Sequence, residues 1–166
     1  MIVSASINIE ASSEPKIACG QINELENTID LENSILMGDR GYDSLEMMLN
    51  IVEQHSYFII RLKESTFKKE RKYLTGDYET VWININNSRL KNVENSQIKE
   101  KYLKEGRIKL RIIRIPLEKE GDEEPSEEYL ITNLTNEMAP YEDFKELYHQ
   151  RWSVETEFDR LKNIMK

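Results

Sequence analysis

Cysteine, histidine and unbroken hydrophobicity are all scarce in this sequence. The one cysteine, Cys19, excludes an internal disulfide and a cysteine-based metal cluster, and suits a reducing cytoplasm. Two histidines, His55 and His149, are too few for a histidine-rich metal site. No apolar run approaches the ~18 residues of a membrane span, so no membrane partner is expected. The start, Met1-Ile2-Val3-Ser4-Ala5, lacks the basic region and apolar stretch of a signal peptide. What remains is a globular composition, 33% charged and 39% hydrophobic over 166 residues. That is enough for one domain with a real core, and too short to expect two.

The net charge of −8 hides an asymmetry. Residues 1–60 carry 2 basic and 10 acidic side chains, residues 61–114 carry 15 and 7, and residues 115–166 carry 6 and 14. A basic middle between acidic ends can bind a polyanion, because the local field matters more than the sum. It can equally be a lysine-rich solvated surface. If nucleic acid binds there, affinity should fall with salt and ignore sequence.

Hydrophobic periodicity places the elements. Residues Ile2 to Ile9 read as a strand, Ser12-Ser13-Glu14-Pro15 as a turn, and Ile17 to Leu31 as a helix with weak spacing. Ile35-Leu36-Met37 suits a buried strand ending at Gly38-Asp39-Arg40-Gly41. Asp43 is a plausible N-cap, with Glu46 three residues on, for a helix whose face is Leu45, Met48, Leu49 and Val52. Tyr57 to Leu62 is a second buried strand. Strand, helix, strand in that order predicts a parallel pair. Thr80 to Asn86 and Arg107 to Pro116 are strand-like, and in the second Ile108, Leu110 and Ile112 alternate with Lys109 and Arg111. Ser88 to Glu105 is a short helix or a loop. Glu118 to Glu128, with 7 acidic residues, reads as an exposed loop. Glu128 to Leu134 is a core strand, and Pro140 precedes a long helical pattern to about Ile164. The fold class expected is α/β.

The last helix carries chemistry. With Tyr148 at zero, Arg151 falls at about −60°, Glu155 at about −20° and Lys162 at about −40° on the helical wheel. A phenol, a guanidinium, a carboxylate and an ammonium thus share the margin of the apolar stripe. A carboxylate held there can ligate a hard cation such as Mg²⁺, and flanking cations can hold phosphate. The plainer reading of Arg151 and Glu155 is an i, i+4 ion pair worth ~0.3–0.5 kcal/mol. Asp39 is the second candidate, directly after an apolar strand, where ligands gather in open α/β sheets. Its plainer readings are a turn cap or a pair with Arg40.

Two motifs carry a resemblance. Gly-Asp-Arg-Gly-Tyr-Asp-Ser at 38–44, then a helix and Phe-Ile-Ile-Arg-Leu at 58–62, resembles the second-aspartate region of insertion-sequence DDE transposases. Tyr148-x2-Arg151-x3-Glu155-x6-Lys162 is similar to the YREK signature of one large transposase group at every spacing. Tyr129-Leu130-Ile131-Thr132-Asn133-Leu134 lies upstream as that setting requires.

The resemblance implies a ribonuclease-H-like mixed sheet with flanking helices and a β-rich insertion at 64–127, before the glutamate helix. It implies metal-dependent DNA strand cleavage and transfer at transposon ends, with two Mg²⁺ ions held by three carboxylates. Asp39 would be the second ligand and Glu155 the third. Tyr148, Arg151 and Lys162 would touch DNA phosphate, and so would Arg40. A homo-oligomer on DNA would follow. The family's first aspartate has no counterpart, because no aspartate precedes Asp30, only nine residues before Asp39. The expectation is therefore residues 1–166 as a partial catalytic domain truncated at its start, weak or inactive alone. A different class is a non-enzymatic transposase remnant that binds DNA weakly or serves as a structural module. An unrelated ribonuclease-H-like nuclease would leave the YREK spacing unexplained.

Overall fold

The short apolar runs become the strands of one sheet. The computed structural model describes residues 14–26, 31–116, 127–144 and 146–147. The strand expected at 2–9, most of the acidic stretch 118–128 and the helix positions from 148 onward lie outside these. Within them the strands are β1 (Ile35–Gly38), β2 (Tyr57–Arg61), β3 (Tyr78–Asn84), β4 (Arg107–Pro116) and β5 (Glu127–Thr132). Their order across the sheet is β1-β2-β5-β4-β3. β1 and β2 are parallel, as the strand-helix-strand order predicts, and the other neighbours are antiparallel.

Among the described residues four helices accompany the sheet: α1 (Glu14–Glu26), α2 (Leu45–Glu53), α3 (Lys68–Arg71) and α4 (Ser96–Glu105). Helix α1 begins at Glu14, so the expected turn at 12–15 is in part a helix start; Pro15 tolerates the first turn because its missing N–H has no partner there. The polar stretch 88–105 divides into turns and irregular chain over 88–95 and helix α4 from Ser96. Asn95 caps it, accepting from the N–H groups of Gln97 at 3.0 Å and Ile98 at 3.2 Å, and Gly106 closes it at φ 73°.

Period-2 alternation divides the core between the two faces of the sheet. On one face Phe58, Ile60, Ile83, Leu110, Ile112 and Ile131 pack under α1, α2 and α4. On the other, Ile59, Ile113, Ile115 and Leu130 meet Leu134, Ala139, Phe144 and Leu147. Cys19 of α1 lies 3.8 Å from Met47 of α2, and burial pushes its thiol up to about 11, which makes it an inert core side chain.

Four local expectations are corrected. Ile35 and Met37 are 41% and 37% exposed, because β1 is an edge strand among the described residues. The N-cap of α2 is Ser44, whose hydroxyl accepts from Met47 N–H at 3.1 Å; Asp43 has another task. The half-exposed alternation of β4 ends at Leu110, since Arg111 is only 2% exposed. Finally, β5 starts at Glu127, and Glu128 is buried rather than part of an exposed loop. Among the described residues no helix is long and apolar enough to cross a membrane. The result is a mixed α/β sheet with flanking helices, of ribonuclease-H-like type.

Candidate functional site

Parallel strands end together, so β1 and β2 deliver their last residues to one rim of the sheet. Gly38 pairs with Ile60, which brings Asp39 and Arg61 side by side just beyond it. Gly38 is needed there. A Cβ would come within 3.0 Å of Tyr42 Cβ and 3.3 Å of Ile60 Cγ1. The chain then turns through a 3-10 segment, Arg40–Tyr42.

Asp39 occupies the cap position of that segment but makes no side-chain cap hydrogen bond. Only its carbonyl takes part, accepting from Tyr42 N–H at 2.9 Å. The turn-cap reading of its carboxylate therefore fails. Oδ1 is inaccessible and accepts no hydrogen bond among the described residues, while the side chain as a whole stays 41% exposed. Its ion pair is with Arg61, not with neighbouring Arg40: Nη1 of Arg61 stands 3.7 Å from Oδ1. Arg40 itself is exposed on the turn. Arg61 makes its direct contact with Glu128, through Nη2 and Oε1. Register explains this, because Arg61 lies opposite Leu130 and Glu128 is two residues before it on the same face.

Asp43, four residues on, holds the rim in shape. It is 8% exposed, and its Oδ2 accepts from the backbone N–H of Lys63 at 2.7 Å. This ties the start of α2 to the end of β2. Burial pushes its carboxyl above the ordinary value, against the pull of that N–H and of the Lys63 and Arg71 charges. Arg71 completes the clasp. It donates to the carbonyls of Lys63, Glu64 (2.9 Å) and Thr66 (3.0 Å from Nε), and stacks 4.6 Å over the Tyr129 ring. Beside it opens a cleft of about 670 Å³ lined by Lys63, Arg89, Lys91, Asp43, Glu46 and Glu94.

Of the candidates read from sequence, Asp39 and Arg40 fall on this rim. Tyr148, Arg151, Glu155 and Lys162 lie outside the described residues. Among the described residues no group of three or more His, Cys, Asp or Glu is arranged to hold a metal ion. Sequence reasoning missed Arg61, Glu128 and Arg71. A signal existed for Arg61, a charge closing an otherwise apolar run, Phe58-Ile59-Ile60-Arg61-Leu62. Glu128 was masked by six other acidic residues before it. The donor chemistry at Asp39, an oxygen without a hydrogen bond at the carboxyl end of a strand, fits a hard divalent cation.

No curated protein matches this chain. A family model does, over residues 3–166. With the sheet, the acidic strand end and that match together, the chain belongs to the Transposase DDE domain family, and its role is in transposition.

Proposed function

We propose that this chain carries two of the three carboxylates of a metal-dependent DNA strand-transfer site, Asp39 on the rim and Glu155 in the YREK spacing of the sequence. The observation that carries the reading is Asp39 itself. It sits at a strand end, has no capping task, and keeps Oδ1 without a hydrogen bond among the described residues. Asp39 and Glu155 would hold Mg²⁺. Bound there, the metal supplies a more acidic attacking water and neutralisation of phosphate charge.

The chain's own cations serve the DNA. Tyr148, Arg151 and Lys162 contact phosphate near the cut, on the strength of their shared helical arc and the YREK spacing. Arg40, exposed on the turn after Asp39, does so from the other side. Residues 64–127 form the β-rich insertion, and its portion 64–114, with 13 basic and 7 acidic side chains, is a second phosphate-binding surface. Transposon ends are the DNA substrate, brought together by a homo-oligomer. The lone buried thiol suits work in a reducing cytoplasm.

With only Asp39 and Glu155 as ligands, the 166 residues by themselves cleave DNA weakly or not at all. Calorimetric titration with Mn²⁺ tests the site directly. The parent chain should bind, and Asp39→Asn and Glu155→Gln should each weaken binding at least tenfold, about 1.4 kcal/mol. Absence of binding, or binding indifferent to both substitutions, would favour the non-enzymatic remnant.

A further inference from the structure

Arg61 is placed between two carboxylates and bound to only one of them. Its Nη2 is in direct contact with Glu128 Oε1, whereas its Nη1 stands 3.7 Å from Asp39 Oδ1. The second distance is too long for a hydrogen bond, so that attraction is purely coulombic. Glu128 is 8% exposed and is the second residue of β5, paired with Ile115 of β4, which fixes its position. The Arg61 side chain is 16% exposed and has little freedom to leave.

We infer that Arg61 is a tethered counter-cation for Asp39, held off its oxygens by Glu128, and that this sharing sets the affinity of the rim for a divalent cation. The inference rests on the reading of Asp39 as a metal ligand. Its physics is a competition. A guanidinium fully docked on Asp39 would engage both carboxylate oxygens through its fork of N–H donors. That would occupy one lone pair on each oxygen and set a full positive charge against an incoming metal. Glu128 draws the fork aside, so neither Asp39 oxygen is taken up by a hydrogen bond from Arg61, and the partly exposed carboxylate stays open to a metal while its charge is still partly balanced. A metal ion arriving at Asp39 meets one positive charge close by, and Glu128 offsets it. Arg61 is thus a positioning residue for the site, and Glu128 acts through Arg61.

The two partners therefore have opposite effects on metal affinity. In the Glu128→Gln variant, Arg61 is left with Asp39 alone, and Mn²⁺ should bind about tenfold more weakly. In the double variant Arg61→Gln/Glu128→Gln, the competing cation and its restraint both go, the fold keeps its charge balance, and Mn²⁺ should bind about tenfold more tightly than to the parent. Arg61→Lys keeps the charge and should stay within about threefold of the parent. Mn²⁺ calorimetry on the 166-residue chain reads all three, and thermal melts show that each variant is folded. A purely structural role would shift the Gln variants in the same direction. If the parent binds Mn²⁺ through Asp39 and both Gln variants weaken binding or leave it unchanged, the inference falls and the metal reading stands. If the parent shows no Mn²⁺ binding that Asp39→Asn removes, the metal reading falls and takes the inference with it.

Discussion

Two arginines lie on the same face of the sheet and live differently. Arg111, in the middle of β4, is 2% exposed, and both its Nη groups are bonded to neutral oxygens while its Nε has no partner among the described residues. It donates to Ala139 O at 2.6 Å and Asn136 Oδ1 at 2.8 Å, between the rings of Tyr78 (4.3 Å) and Phe144 (4.9 Å). Burial lowers its affinity for its proton, though a guanidinium stays charged throughout the accessible pH range. Arg61, at the end of β2, faces carboxylates instead, and one of the two is held at 3.7 Å. The first arginine is a fastener, joining the sheet to the segment at 136–144. The second sits where a strand end meets solvent and its bonding is incomplete. An arginine's surroundings, more than its burial, separate structural from chemical work.

The contrast can be broken by substitution. Arg111→Leu should have the largest effect, about 3 kcal/mol, because it leaves a buried carbonyl and an amide oxygen unpaired and removes two ring contacts. Urea denaturation measures it. A loss below about 1 kcal/mol would mean that Arg111 is no fastener.

Asp43→Ala comes next, at about 2 kcal/mol, since it strips the acceptor from the Lys63 N–H. Asp43→Asn retains an acceptor oxygen and should be nearly neutral at pH 7. The two differ from the parent in pH dependence as well. The folded-state carboxyl of Asp43 lies above its ordinary 3.8, so it binds its proton more tightly folded than unfolded. Its contribution to stability is present below that ordinary value and is lost as pH rises through the raised one. Asp43→Asn should lack this loss. Melting temperatures from pH 3 upward would show it, and identical profiles for parent and Asn variant would contradict it.

The smallest change in stability belongs to Arg61→Gln/Glu128→Gln. A largely buried ion pair is nearly balanced by its desolvation, so exchanging both partners for neutral amides should move stability by about 1 kcal/mol or less. If it rivals Arg111→Leu, Arg61 is a second fastener and the distinction between the two arginines disappears.

The framework was legible because apolar runs have few places to go. Tyr57 to Leu62 has a core strand's pattern, and the structure buries Phe58, Ile59 and Ile60 completely or nearly so. Asp39 was legible as a candidate from its position after β1. The errors share one physical origin, since sequence shows charge but not the partner that makes burial tolerable. Nothing local distinguishes Arg111 from Lys109, yet one is buried by acceptors 25 and 28 residues away and the other is exposed. Asp43 and Ser44 are both good caps, and a backbone N–H 20 residues on claimed the aspartate. Glu128 looked like the end of an acidic loop until Arg61 gave it a reason to be inside.

Beyond Thr132 the sheet is continued by a side chain. Asn133 accepts from Phe58 N–H and donates to Ser56 O, both at 2.9 Å, and the first of these bonds spans 75 residues. A growing chain leaving the ribosome at roughly 5–20 residues per second would need about 4–15 s to supply that asparagine after Phe58 has emerged. Throughout that interval the far edge of β2 has no native neighbour. Until then that edge presents unpaired backbone N–H and C=O groups, the kind of edge that mispairs.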